Sequence, residues 1–150
     1  MTEPVIFACD AAPGCRYAAV IGSTSFEASM RNAKRLAERL SGSRYALLAM
    51  DYRGAEPSLT PKQYTTFFKF LLPELSKLDR VAYVYSSRTL MRAAHATRQL
   101  SEMGVHARAF ASWGEAADFL GIKADDPFPQ TGAQMSATSR PARLIDMKKW

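Results

Sequence analysis

Three nearly unbroken apolar stretches, "RYALLAMDY" (44–52), "RVAYVYS" (80–86) and "VHARAFA" (105–111), are each followed by a segment of helical period. Such runs suit central strands that are covered on both faces. Repeated strand–helix alternation requires right-handed crossovers and so a largely parallel sheet. Ahead of it, "VIFACD" and "RYAAVIG" flank the turn sequence "AAPG" and read as a hairpin. The predicted fold is therefore a single-domain α/β structure. It has a mixed β-sheet, made of an N-terminal hairpin plus parallel strands, with about four helices.

The helices announce themselves by period and by their ends. In "STSFEASMRNAKRLAERLSG", Phe26, Met30, Ala33, Ala37 and Leu40 fall on one face, Ser23 to Ser25 offer capping oxygens, and Gly42 follows. Arg31, Lys34, Arg35, Glu38 and Arg39 form the opposite, solvated side. In "PKQYTTFFKFLLPELSKL", Thr60, Pro61 and Gln63 have the spacing of an N-cap, a first helical residue and a capping-box partner. Pro73 is expected to kink or divide that helix. "SRTLMRAAHATRQLSEMG" is predicted to be capped by Ser87 and ended by Gly104, and "SWGEAADFLG" by Ser112 and Gly121.

The chain of 150 residues has a net charge of +6, two cysteines and two histidines. One domain of this length buries a sizeable core without disulfides. Cys9 and Cys15 are expected to be reduced and structural, and no metal or cofactor is implied. The basic residues are dispersed, which argues against a dedicated nucleic-acid surface. No apolar run reaches the length of a membrane span, and a secretory signal pattern is missing, so the expected location is cytoplasmic. After Gly121 the periodicity fades. Residues 1–122 read as the folded domain and 123–150 as an extended or disordered tail.

Three constellations invite a functional reading. The loop "DYRGAEPSLTPKQYTT" holds Asp51 and Glu56, a weak candidate acid pair, and the hydroxyls Ser58 and Thr60. It has neither a histidine nor a nucleophile elbow, so helix capping is the stronger reading than catalysis. The helix beginning at Pro61 is apolar on more than one side. Tyr64, Phe67, Phe68, Leu71 and Leu72 are candidates to line a pocket or a self-association surface. Finally, Ser87, Arg88 and Arg92, with Ser86, His95 and Gln99, form a polar stripe suited to an acidic group.

The order of elements, the strand ending in Asp51, and the run "DRVAYVYSSRTLMRAAHATRQLSEMGVHARAFASWGEAADFL" resemble the STAS domain superfamily, in its SpoIIAA-like branch. The resemblance spans about residues 5–121 and rests on Arg80, Ser86–Ser87, Phe110 and Glu115–Ala116 through Leu120. It implies a mixed sheet with packed helices. It also implies a non-enzymatic binding or regulatory protein, whose partner is a protein, an apolar or acidic small ligand, or a second copy of the chain. Some such proteins are partner-switching regulators that accept phosphate on a serine in a "DSSG"-type turn. That turn is missing here, and Ser58 and Thr60 are the nearest candidate phosphoacceptors. A small hydrolase is the alternative from another class.

Overall fold

The computed structural model describes residues 4–42, 44–56 and 58–129. Val5–Ala12 (β1) and Cys15–Ser23 (β2) form the expected hairpin, with Ala12 opposite Cys15. Pro13 and Gly14 close it, and Gly14 has the positive φ of 77° that a Pro-Gly turn demands. Phe26–Leu40 (α1) leads to Leu47–Asp51 (β3), which lies parallel to β2. A two-residue strand, Ala55–Glu56 (β4), pairs in parallel with the end of β2. Then come Pro61–Leu75 (α2), Arg80–Val84 (β5), Leu90–Glu102 (α3), Ala107–Phe110 (β6) and Trp113–Leu120 (α4). Among the described residues the sheet order is β1-β2-β3-β5-β6, with β4 attached to β2.

Because side chains alternate along a strand, each strand feeds two cores. Ala18, Leu48, Met50, Val81 and Tyr83 point toward α1, α2 and α3. Tyr17, Ala19, Ala49, Ala82 and Val84 point the other way, toward Trp113, Ala116, Ala117 and Leu120 of α4. The expected mixed α/β architecture with four helices is present. No helix among the described residues is long and apolar enough to cross a membrane.

Several details differ from the sequence reading. Pro73 does not divide α2, which continues to Leu75, so the missing amide falls in the final turn. Gly42 is not left-handed, since α1 ends on Ser41 in the right-handed region. Ser87 is not a cap but the first residue of a 3-10 turn, Ser87–Thr89, that precedes α3. The core face of α1 includes Leu36 and Ala28, while Phe26, Met30 and Ala37 are only partly buried. Cys9 and Cys15 form no disulfide with each other, since Cys9 sits opposite Tyr17 and Cys15 opposite Ala12.

Residues 121–129 have no helix or strand, yet they pack on the α4 side of the sheet. Trp113 Nε1 donates to the Ala124 carbonyl at 2.8 Å. Ile122, Ala124 and Phe128 lie against the second core. The remainder of the tail, 130–150, lies outside the described residues.

Candidate functional site

At the carboxyl ends of the parallel strands, the place where ligands of open α/β sheets gather, β3 ends on a carboxylate with no solvent exposure. Asp51 is 0% exposed. Tyr17 donates its hydroxyl to Asp51 Oδ2 at 2.5 Å. Arg53 donates from Nε to both carboxylate oxygens at 3.1 Å and from Nη2 to Oδ2 at 2.7 Å. Its outer edge donates to Asp126 at 2.8 and 2.7 Å, and its guanidinium lies 4.7 Å from the Phe128 ring centre. A side chain at position 54 would crowd this closure. A Cβ on Gly54 would stand 3.0 Å from Phe128 and 3.2 Å from Ile21.

The electrostatics of these surroundings fit a closed clamp. Burial, then the charge and hydrogen bond of Asp51, push the Tyr17 phenol well up. Burial works against the charged form of Arg53, but its bonds to Asp126 and Asp51 outweigh it and hold the guanidinium charged. Every partner of Asp51 is structural. Glu56 is exposed and lies instead 4.0 Å from Arg88, so the Asp51–Glu56 acid pair is not assembled.

In the loop before α2, Ser58 donates its hydroxyl to the Thr24 carbonyl. Thr60 is the cap the spacing predicts. Its hydroxyl accepts from the Gln63 amide at 3.1 Å while the Gln63 side chain accepts from the Thr60 amide at 2.9 Å. Thr60→Ala is expected to cost about 1 kcal/mol, read as a shift of the urea midpoint with an unchanged slope.

Above the sheet, between α1 and α2, lies a cavity of about 40 Å³. Its walls are apolar where Val20, Met50, Leu59 and Phe67 meet, and Thr24, Ser29, Asn32 and Glu56 supply polar groups. Tyr52 and Tyr64 add phenols. Of the aromatic helix residues singled out from sequence, Tyr64 and Phe67 line this cavity. Phe68 and Leu71 are 0% exposed core side chains, and Leu72 packs partly against the same core. The contributions of α1 and β4 were not read from sequence. Ser29 and Asn32, polar residues on the buried side of an amphipathic helix, are the signal that could have found them.

The polar stripe is only partly brought to this place. Arg88 is exposed at the Glu56 rim, and Ser87 is exposed on the 3-10 turn. Arg92 stands 6.0 Å from the Tyr64 ring centre. Behind Tyr52, the ring of Tyr83 stacks at 4.6 Å between centroids. Among the described residues no cluster of His, Cys, Asp and Glu could hold a metal ion.

Burial raises the phenols of Tyr52, Tyr64 and Tyr83 as well as Tyr17. It also pushes the Cys15 thiol from 9.0 up to about 12. A group whose value is raised on folding stabilises the fold fully below its unfolded value, and that stability is lost as pH climbs through the folded one. Stability should hold below about pH 9 and fall steeply from about pH 9 to 12. Urea unfolding across this range, with phenolate absorbance followed in parallel, tests the expectation. Ionisation of all six phenols while the fold stays intact would contradict it.

The chain matches no known protein-family profile and no curated protein. A solved structure superposes on 80% of this chain and 95% of its own, with a TM-score of 0.58 and 16% identity. That structure is an uncharacterised DUF3478-family protein from Shewanella loihica PV-4, described as having a SpoIIAA-like fold. The fold is SpoIIAA-like. At that identity the likeness concerns architecture alone. The SpoIIAA-like frame accounts for the leading hairpin and the parallel strands.

Proposed function

We propose that this SpoIIAA-like chain is a non-enzymatic binding domain that engages an apolar or acidic small ligand, or a protein partner, through α2 and the loop before it. The observation that carries the reading is the cavity between α1 and α2. It is larger than the roughly 10–15 Å³ a single water needs, and its lining mixes aromatic walls with a few polar groups, as ligand pockets do. A slim apolar body with one polar end is the chemistry that suits it. The absence of catalysis is part of the proposal. Asp51 is fully engaged by Tyr17 and Arg53, and Thr60 is engaged as a cap.

Filling the cavity tests it. Ala33 is 1% exposed and lines the space, so Ala33→Leu should occupy it while leaving a folded protein. Native mass spectrometry should show a retained small molecule or partner on the wild-type chain, with occupancy falling about tenfold or more in the variant. Equal occupancy in both, or none in either across hydrophobic and acidic ligand panels, would refute the reading.

A second reading has one specific support. Ser58 is exposed in the loop ahead of α2, and its hydroxyl makes one hydrogen bond, to the Thr24 carbonyl, so a kinase would reach it without undoing the Thr60 capping box. Phosphorylation there would make the chain a partner-switching regulator. Phosphopeptide mapping of protein from cells, with no phosphate found on Ser58, would remove it.

A further inference from the structure

The outer side of the α2–α3 seam holds a second recess that shares no lining residue with the cavity. A groove of about 520 Å³ runs past Pro61 at the start of α2 and past Met91, Arg92, Ala94, His95 and Arg98 of α3. That volume is in the range of small-ligand sites, about 300–1,000 Å³. Arg92, His95 and Arg98 follow one another at i, i+3 spacing, so successive turns place them along one side of the helix.

The donors in this lining are unspent. Arg92 Nε and His95 Nε2 have no hydrogen-bond partner among the described residues. Among the described residues neither Arg92 nor Arg98 forms an ion pair. Among the described residues no carboxylate lines the groove, and α3 has no acidic residue before Glu102 at its end. The wider surface has the matching sign. The three helices on this face, with the 3-10 turn, carry nine Lys and Arg against four Asp and Glu, a field that draws anions.

We propose that this groove binds the phosphate group of a small phosphorylated molecule. Two guanidinium forks and an imidazole offer more donors than a carboxylate's two oxygens can use, whereas a phosphate has oxygens for each. The positive end of α2 at Pro61 favours the same charge. Met91, 79% exposed, and Ala94 give an apolar shelf for the attached carbon skeleton. The proposal is independent of the cavity reading.

The test uses the full chain with inorganic pyrophosphate as probe, at constant ionic strength set with sodium chloride. Nitrogen-15 NMR should show saturable shifts confined to Arg92, His95, Arg98 and the first turn of α2. The double variant Arg92→Gln, Arg98→Gln should melt like the parent and bind about tenfold or more weakly. A response no larger than that to sodium chloride alone would overturn the proposal, as would one undiminished in the double variant. A polyglutamate peptide that binds these residues where pyrophosphate does not would also overturn it, in favour of an acidic protein segment.

Discussion

Asp51→Ala should be among the most damaging single changes in this chain, with a loss of roughly 3–5 kcal/mol in urea unfolding. The carboxylate is 0% exposed, so its removal strands the buried Tyr17 and the half-buried Arg53 at once. Tyr17 keeps a buried hydroxyl with no acceptor, and Arg53 loses the inner half of its pairing while Asp126 holds the outer half. A buried donor left unsatisfied costs about 1–3 kcal/mol, and more when charged. Asp51→Asn retains shape and one acceptor oxygen, so its cost should be smaller. A loss of less than about 1 kcal/mol for the alanine variant would mean that the clamp carries no stability.

Phe68→Asp should do more still. Phe68 is 0% exposed and stands edge-on to Phe67 at 5.2 Å and stacked with Tyr64 at 6.2 Å. A carboxylate there must either be buried as a charge or take up a proton, and either is costly in an apolar core. The expected result is loss of the folded state, since the penalty rivals the roughly 5–15 kcal/mol stability of a whole domain. Phe68→Ala, at about 3–5 kcal/mol, is the graded companion. Circular dichroism melting of both checks the expectation. A cooperative, near-normal transition in the aspartate variant would show that α2 is not anchored as described.

How much of this was legible beforehand depended on the range over which each signal acts. The capping box of Thr60 and Gln63 is local chemistry, and it is present as its spacing demands. The three apolar strands and the hairpin are equally local patterns, and the architecture followed from them. The cavity did not, because it is made by residues from β2, α1, β4 and α2 that meet only in the folded chain. Tyr64 and Phe67 were read as pocket candidates together with Phe68 and Leu71, since period alone does not tell a cavity wall from solid core. The clamp was invisible for the same reason. Arg53 and Asp126 are 73 positions apart, and no periodicity links a loop to a segment without regular structure. Pro73 was over-read: a proline in the last turn removes one bond where the helix is about to stop anyway.

The pairing pattern of the sheet also bears on how the chain reaches this state. Among the described residues, the β1–β2 hairpin joins near neighbours, while the parallel partners Cys15 and Leu47, Leu47 and Arg80, and Val81 and Ala107 are roughly thirty residues apart. The hairpin can therefore form early, within microseconds. The other strands must wait until an intervening helix has brought each one home. Acquisition of the native state should accordingly be slow relative to helical bundles of this size, with the hairpin serving as the template on which later strands are laid.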